Sequence, residues 1–247
     1  MFFYIRFMEL REKVAIVTGS SRGLGRAIAL SFAEKGVKVV VNYNSNEKAA
    51  EETVRKIEGM GGNAIKVKAD VRRRNEVRKM VELAVEEFGS IDILVNNAGV
   101  SGKFRSIRDI TDDDWKNVID INLTGAFIVT QEVLRYMEKG KIINISSVAG
   151  RMGGVIGAHY AASKAGLIGF TFSLARELAP DILVNAIAPG PIDTEIIDQQ
   201  TKDTLARIIP LGRIATPEEI AHAVIFVAEN DYLTGSVIDI NGGRHML

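Results

Sequence analysis

The sequence predicts an α/β fold with helices on both faces of one parallel sheet. Continuous apolar runs of four to six residues alternate along the chain with amphipathic stretches of ten or more residues. Runs of this kind are typical of strands buried on both faces of a parallel sheet. Strands that alternate with helices of that length favour right-handed crossovers between parallel neighbours.

Seven apolar runs are the predicted strands: 14–17, 37–41, 64–67, 91–95, 141–145, 182–187 and 237–240. The predicted helices include one that follows the first strand and stops at Gly36, and others at 47–60, 76–88 and 158–179. Thr216 before Pro217 has the pattern of a helix N-cap followed by proline at the first helical position. We expect residues 1–9 to be a tail and residues 10–247 to be a single domain.

Length and composition exclude several classes of protein. The 247 residues are enough for one domain with a full core. Thirty-one basic residues balance 31 acidic ones, so a general attraction for nucleic acid or an anionic membrane is not expected. The chain has no cysteine, and its three histidines show no metal-ligand spacing. No apolar run approaches the roughly 18 residues of a membrane span, and we expect a cytoplasmic protein.

A glycine-rich segment, Thr18-Gly-Ser-Ser-Arg-Gly-Leu-Gly25, joins the first predicted strand to the first predicted helix. In that context, glycines let the backbone approach a pyrophosphate at a helix N-terminus, where free N–H groups and the helix dipole favour anions. The segment therefore predicts a nucleotide-binding turn, and the alternative is a tight turn without a ligand. The predicted cofactor-binding residues of the segment are Gly19, Ser21, Arg22, Gly23, Leu24 and Gly25.

The end of the second predicted strand, at Asn42-Tyr43, indicates which dinucleotide binds. Dinucleotide folds place an acidic residue there for the free 2′-hydroxyl of NAD, and this chain has none. A carboxylate would repel a 2′-phosphate by roughly 4 kcal/mol at 4 Å and a dielectric of 20, whereas Arg22 could pair with it. We therefore expect NADP(H) in preference to NAD(H), unless Arg22 is only solvated. Asp70-Val71, after the third strand, offers a carboxylate to the adenine amino group.

The segment Tyr160-Ala-Ala-Ser-Lys164 carries the candidate acid–base chemistry. On a helix, Tyr160 and Lys164 are one turn apart and share a face, so an ammonium can lie beside a phenol. The pKa of a free tyrosine is about 10, and a nearby cation lowers it toward the range of efficient acid–base catalysis. A serine hydroxyl could hold the substrate carbonyl, and spacing alone allows either Ser146 or Ser147. The alternative is a surface pair without a catalytic role.

Five motifs in this order resemble those of the classical short-chain dehydrogenase/reductase family: the glycine-rich segment, Asn96-Asn-Ala-Gly99, Ser147, Tyr160-x-x-x-Lys164 and Pro189-Gly190. The resemblance extends from about residue 10 to the C-terminus. It implies a single-domain Rossmann fold with a seven-stranded sheet, and reversible hydride transfer with NAD(P). The catalytic residues that it implies are Asn122, Ser147, Tyr160 and Lys164.

The same resemblance implies further contacts with the cofactor and a lid over the substrate. Ile192 would donate its backbone N–H to the nicotinamide carboxamide, and Thr194 would lie near the phosphates. Segment 191–210 would be the movable lid, helical over 195–209. The implied cofactor contacts beyond the glycine-rich segment are Asn96, Ala98, Gly99, Tyr160, Lys164, Pro189, Gly190, Ile192 and Thr194.

Within the family, the chain is most similar to the 3-oxoacyl-(acyl-carrier-protein) reductases, notably in segments 142–147 and 165–170. That similarity implies reduction of a 3-oxoacyl thioester. One alternative is a dehydrogenase of sugars or small ketones, for which the His159-Tyr160 pair is a hint. A more remote alternative is a non-catalytic NADP-binding regulator.

The similarity does not extend to docking of an acidic acyl carrier protein. Those reductases usually carry docking arginines in the segments that correspond to 137–141 and 179–182, and this chain has none there. Asp181 would repel an acidic partner, although Lys139 and Lys141 could compensate. The sequence therefore leaves open whether the substrate is bound to a carrier.

A stripe of small residues on the helix at 158–179, roughly opposite Tyr160, would let another backbone approach closely. Its members are Ala162, Gly166, Gly169 and Ser173. The alternative is packing within the chain. The family resemblance implies that this helix and one at 111–137 pair across a dimer axis, often within a tetramer. We expect a homotetramer, and sedimentation that shows only monomer at micromolar concentration would contradict it.

Overall fold

The computed structural model describes residues 8–103, 106–154, 156–193 and 199–246. These residues form one seven-stranded parallel sheet in the order β3-β2-β1-β4-β5-β6-β7, which confirms the predicted fold class. The strands are β1 (Val14–Val17), β2 (Lys38–Tyr43), β3 (Ala64–Lys68), β4 (Ile93–Asn96), β5 (Gly140–Ile145), β6 (Ile182–Pro189) and β7 (Val237–Ile240). The second strand is longer than predicted, because β3 pairs with it as far as Tyr43 opposite Lys68.

The helices of the described chain are α1 (Gly23–Glu34), α2 (Glu47–Gly59), α3 (Arg74–Phe88), α4 (Asp112–Ile119), α5 (Gly125–Val133), α6 (Ala149–Met152), α7 (Ala158–Leu178), α8 (Gln199–Ala206) and α9 (Pro217–Glu229). A π-helical segment, Asp120–Thr124, joins α4 to α5. The helix expected at 111–137 is thus interrupted in its middle. Helix α9 has the predicted cap, because the Thr216 hydroxyl accepts from the Glu219 N–H at 3.3 Å.

Strand side chains pack against helices on both faces of the sheet. Along β1, Ala15 and Val17 face a core that includes Phe32 of α1, while Ile16 faces a second core that includes Met80 of α3. All residues of β1 are buried. This arrangement explains why the strands appear in the sequence as continuous apolar runs.

The sheet order changes direction between β1 and β4, because β2 and β3 lie on one side of β1 and the remaining strands on the other. The carboxyl ends of strands at such a point form a crevice in which ligands bind. The Val95 carbonyl accepts from both the N–H and the hydroxyl of Thr18 there, at 3.0 and 3.2 Å. The end of β4 is therefore joined to the start of the glycine-rich turn.

Met8, within the segment predicted as a tail, is bonded to the end of α9. The Met8 N–H donates to the Glu229 carbonyl at 2.9 Å, and Leu10 is buried. Among the described residues, no helix is long and apolar enough to cross a membrane. The same residues contain no group of three or more His, Cys, Asp or Glu side chains that could hold a metal ion.

The small-residue stripe of α7 is partly exposed. A side chain at Gly169 would meet no atom within 4 Å, whereas one at Gly166 would lie 2.6 Å from Leu123 of the same chain. The exposed Phe172 lies on the same helix. Packing within the chain therefore accounts for Gly166 and leaves Gly169 open.

Candidate active site

A cleft of 690 Å³ lies at the carboxyl ends of β1 to β4. Its volume is within the range of about 300–1,000 Å³ that is usual for ligand sites. Residues Asn97, Val100 and Ile121, which we did not predict, line it as well. The predicted cofactor residues that line it are Gly19, Ser21, Arg22, Gly23, Leu24, Gly25, Asn42, Tyr43, Asp70, Val71, Ala98 and Gly99.

The glycine-rich turn has the geometry of a phosphate-binding turn. Gly19 and Gly23 have φ angles of +63° and +55°, which side chains rarely adopt. A Cβ on Gly25 would lie 2.4 Å from the Gly19 carbonyl oxygen, so the turn closes only with glycine there. Helix α1 begins at Gly23, and its first N–H groups lie at the cleft. These residues fit the pyrophosphate of a dinucleotide.

Asn42 fixes the glycine-rich turn to the sheet. Its side-chain oxygen accepts from the Gly19 N–H at 3.0 Å, and its amide nitrogen donates to the Ala69 and Val67 carbonyls at 3.1 and 3.4 Å. The side chain is 2% exposed. Asn42 borders the cleft, but its amide is committed to the backbone. An aspartate there would lose both donated bonds and bury a charge, so the absence of an acidic residue at this position has a structural cause.

Tyr43 ends β2 beside a charged pair that sequence reasoning missed. Its phenol hydrogen-bonds to Glu47, and burial together with that carboxylate raises the pKa of Tyr43. Glu47 also accepts from Lys66 at 2.9 Å, and this bond lowers the pKa of Glu47. Glu47 begins α2 and Lys66, 19 residues further along the chain, lies on β3, so the packing of α2 beside β3 brings them together. The acidic group nearest the end of β2 is therefore already neutralised by a lysine.

Arg22 is exposed at the mouth of the cleft. Its side chain makes no hydrogen bond or ion pair with any part of the chain that the structure describes. Arg26, one turn along α1, has a different role, because it donates to the Ser21 carbonyl and to the Thr53 hydroxyl. Arg22 thus keeps an uncompensated positive charge where an anionic ligand group would enter.

Asp70 and Val71 line the cleft as predicted, but the Asp70 carboxylate has a partner that we did not anticipate. Arg72 donates to both of its oxygens, the shortest distance being 2.6 Å, and this pairing lowers the pKa of Asp70. An adenine amino group would share the carboxylate with Arg72. Val71 packs against Gly125, where a Cβ would lie 2.6 Å from the Val71 Cγ2.

Lys164 places a buried amine in the candidate site. It is 4% exposed, and its Nζ donates to the Ile145 carbonyl at 2.8 Å. Burial lowers the pKa of Lys164 to about 8. A Cβ on Gly99 would lie 3.5 Å from Nζ and 3.3 Å from the side-chain oxygen of Asn122. Gly99 also lines the cleft, so the lysine amine adjoins the cleft at Gly99.

Tyr160 lies one helical turn before Lys164 on α7, with the lysine Nζ 5.8 Å from the centre of its ring. Its phenol hydrogen-bonds to Ser147. Burial raises the pKa of Tyr160, and the bond to Ser147 opposes the rise. We expected a lowered pKa, but the protein groups around the phenol desolvate it more than they stabilise its anion.

The two adjacent serines after β5 have different contacts. Ser147 hydrogen-bonds to Tyr160 and accepts from the Ala149 N–H at 3.1 Å. Ser146 is buried and donates to the Lys164 carbonyl at 2.8 Å. Spacing alone could not separate the two hydroxyls, whereas their contacts do. Ser147 is the one beside the phenol.

Asn122 lies in the π-helical segment and is 1% exposed. Its side chain accepts from the Val100 N–H at 2.8 Å and donates to the Val100 carbonyl at 2.9 Å. It also donates to Ser163, whose hydroxyl donates to the Tyr160 carbonyl. Isolated π-helical turns are frequent at functional sites. Here the turn brings an amide between the loop after β4 and the helix of Tyr160.

Other predicted residues lie away from the cleft. Asn96 points into the interior, where it donates to Thr130 and Asn144. Gly190 packs against Asn241, which a Cβ would approach to 2.9 Å. Ile192 pairs with Ala215 in an isolated bridge, whose bonds leave the Ile192 N–H unused.

Pro189 and the lid complete the set of predicted residues. Pro189 ends β6 and accepts from the Val148 N–H. Within the predicted lid, α8 has no buried residue, and its Lys202 pairs with Asp193 at 2.5 Å. Thr194 lies outside the described residues.

These features define a class of protein. The family model described as short chain dehydrogenase matches residues 13–205. The chain therefore belongs to the short-chain dehydrogenase/reductase family and is an oxidoreductase, as its motifs predicted. Members of this family bind NAD or NADP, which agrees with the glycine-rich turn and the cleft.

Individual relatives show which members of the family this chain is similar to. A 3-oxoacyl-[acyl-carrier-protein] reductase from Synechocystis sp. is 44% identical over 96% of this chain and 98% of its own. A short-chain dehydrogenase/reductase structure from Serratia marcescens is 36% identical, with a TM-score of 0.91 over 96% of this chain and 99% of that one. A short chain dehydrogenase from Burkholderia cenocepacia, solved in complex with NADP, is 34% identical with the same TM-score and coverage.

Proposed function

We propose that this protein reduces 3-oxoacyl thioesters with NADPH and that Tyr160 is the proton donor. The observation that carries the proposal is the Tyr160–Ser147 hydrogen bond one turn from the buried amine of Lys164, which adjoins the cleft at Gly99. The Synechocystis relative, a 3-oxoacyl-[acyl-carrier-protein] reductase by name, supports the substrate class. The cleft and the catalytic side chains together support carbonyl reduction.

The mechanism assigns one task to each side chain. Bound NADPH supplies the hydride that adds to the carbonyl carbon. Ser147 donates a hydrogen bond to the carbonyl oxygen, and Tyr160 transfers its proton to that oxygen as negative charge develops there. Lys164 stabilises the phenolate that remains. At about 6 Å and an effective dielectric of 20, an ammonium stabilises such an anion by about 3 kcal/mol.

Burial of Lys164 bears on this mechanism in two ways. Its pKa of about 8 leaves most of the amine protonated at pH 7, so the positive charge is present. Its single bond to the Ile145 carbonyl leaves two of its three N–H groups without an acceptor in the described chain. Those groups are available to the phenolate and to polar groups of a bound ligand. Asn122 holds Val100, the residue after Gly99, and Gly99 lies beside this amine, so Asn122 helps to shape the site.

NADP(H) is the proposed cofactor, and Arg22 is the proposed partner of its 2′-phosphate. The arginine is exposed, lines the cleft and has no partner in the described chain. Asn42 stands where an acidic residue would repel the phosphate, and its side chain is needed to bond the Gly19 N–H. The nearby Glu47 is neutralised by Lys66. The Burkholderia cenocepacia structure in complex with NADP supports the choice.

The alternative functions, a sugar dehydrogenase and a non-catalytic regulator, receive less support. His159, the hint of a sugar dehydrogenase, is fully buried, and its ring lies against Gly102, where a Cβ would approach its Nε2 to 2.7 Å. It offers no accessible imidazole to a sugar. Tyr160 and Lys164 have the contacts that turnover needs, which argues against a non-catalytic regulator.

Two lysines that could have compensated for the missing docking arginines do not do so. Lys141 is 3% exposed and donates to Asp231 at 2.6 Å and to the Asn230 carbonyl at 2.8 Å. Lys139 is exposed but lies 3.9 Å from Asp181, which offsets its charge. The proposal therefore concerns the thioester-linked 3-oxoacyl group and assigns no carrier-protein surface to these segments. Assembly into a homotetramer through α7 also stays a proposal, supported by the open face at Gly169.

Replacement of Tyr160 by phenylalanine tests the assignment of the acid. Since a positioned acid contributes roughly 100- to 10,000-fold, we expect kcat for acetoacetyl thioester reduction to fall at least about 100-fold in Tyr160→Phe. NADPH binding, followed by its fluorescence, should stay within twofold. Tyr232→Phe is the control, because Tyr232 is fully exposed. A Tyr160→Phe enzyme that turns over at the parental rate would show that another group supplies the proton.

Replacement of Arg22 by alanine tests the choice of cofactor. A hydrogen bond to a charged group contributes about 1.5–3 kcal/mol, so the KM for NADPH should rise roughly 10- to 100-fold in Arg22→Ala. The KM for NADH should change less than threefold. Arg55→Ala removes an exposed arginine of α2 that does not line the cleft and should affect neither value. Equal losses with both cofactors would rule out the phosphate contact.

A further inference from the structure

Three successive residues, the last two of β5 and the one that follows the strand, make polar contacts with α7. Asn144 donates to the Thr171 hydroxyl at 2.9 Å, the Ile145 carbonyl accepts from the Lys164 amine at 2.8 Å, and Ser146 donates to the Lys164 carbonyl at 2.8 Å. All of these groups are buried. These buried polar contacts fix α7 to the end of β5 in addition to the apolar packing between them.

The end of β4 explains why the Ile145 carbonyl is available. Strand β4 pairs with β5 only as far as Asn96 opposite Asn144. The Ile145 carbonyl lies one position beyond that last pair, and the Lys164 amine occupies the place of a neighbouring strand. Gly150 lets α6 lie against the Lys164 backbone, where a Cβ would be 2.7 Å from the Lys164 carbonyl carbon. Helix α7 is therefore held closely at Lys164.

A second contact lies two turns further along the same face of α7. Lys164 and Thr171 are seven residues apart, which places them about 10.5 Å apart along the axis and about 20° apart around it. One point of attachment fixes where a helix touches a sheet, but two points along one face also fix its rotation. The Asn144–Thr171 bond is this second point.

The second contact belongs to a wider buried network. Asn96 of β4 donates to Asn144 at 2.8 Å and to Thr130 of α5 at 3.0 Å. The Asn144 side chain therefore has its oxygen held by Asn96 and its nitrogen directed to Thr171. Both threonines are 1% exposed or less. They are equivalent in chemistry, but only Thr171 lies on the helix that carries Tyr160 and Lys164.

We propose that Thr171, held by Asn144, is a positioning residue that sets the rotation of α7 and so directs Lys164 and Tyr160 toward the substrate. The inference rests on the proposed function, because it assumes that these two side chains carry the proton transfer. It also gives Asn96 a role as the group that orients Asn144, in place of the predicted cofactor contact.

The magnitude of the expected effect follows from geometry. A displacement of about 1 Å that originates far from the reacting atoms can cost roughly 100-fold in rate. The Ile145 and Ser146 contacts remain when the Thr171 hydroxyl is removed, so the displacement should be partial. We expect kcat to fall about 10-fold with little change in substrate KM.

The test compares two isosteric variants, Thr171→Val and Thr130→Val. Each removes one hydroxyl acceptor from the same network, so both should lower the melting temperature by similar amounts. Thr171→Val should lose about 10-fold in kcat with acetoacetyl thioester and NADPH, while Thr130→Val stays within twofold. The basic limb of the pH–rate profile should shift only in Thr171→Val. Equal kcat values in the two variants would overturn the inference.

Two further variants complete the test. Thr171→Ser keeps the hydroxyl and should restore kcat to within threefold of the parent, and a serine variant as slow as the valine variant would assign the loss to packing. Thr171→Ala gives the same comparison if Thr171→Val does not fold. Lys164→Met separates the two proposals. If the parent does not reduce acetoacetyl thioester with NADPH, the proposed function fails, and if Lys164→Met keeps the parental rate, the role assigned to Lys164 fails. If it is inactive while Thr171→Val is fully active, only the positioning role fails.

Discussion

The rest of the site depends on one buried amine. Lys164 lies beneath the surface because the Ile145 carbonyl, left free where β4 ends, accepts from it at 2.8 Å. A buried ammonium with a single fixed acceptor is a directed positive charge in a region of low dielectric, where it acts strongly on a phenolate one turn away. Burial disfavours the charged amine and lowers the pKa of Lys164 to about 8. Burial raises the pKa of Tyr160, so the proposed acid–base role requires a charge that opposes this rise.

The fold provides the surroundings that this charge requires. The change of direction in strand order between β1 and β4 opens a cleft that ends beside the amine. Asn42 holds the glycine-rich turn at one side of the cleft, and Asn122 holds Val100 at the other. Both asparagines are buried and bonded to backbone groups of other elements. The site is therefore built from amides that fix loops to the sheet, with few charged groups of its own.

The sequence predicted the sheet, the glycine-rich turn and the Tyr160–Lys164 pair, because period, glycine placement and one-turn spacing are local properties. It did not predict contacts between distant segments. Asn42 lines the cleft as predicted, but its side-chain bonds to Gly19 and to Val67 of β3 were not predicted. Glu47 meets Lys66 because α2 packs beside β3. We also expected a lowered pKa for Tyr160, and the pKa is raised instead. Burial depends on the whole fold, and it raises the pKa more than the bond to Ser147 lowers it.

The central claim is that the Lys164 charge makes the Tyr160 phenol more acidic in the enzyme with NADP bound. Carbon-13 labelling of the tyrosine ring, with Tyr160→Phe used for assignment, allows the Tyr160 pKa to be measured by NMR titration. An opposite charge at this range shifts a pKa by about 1 to 3 units. The pKa should therefore be at least about 1 unit lower in the parent than in Lys164→Met. Equal values in the two proteins would contradict the account.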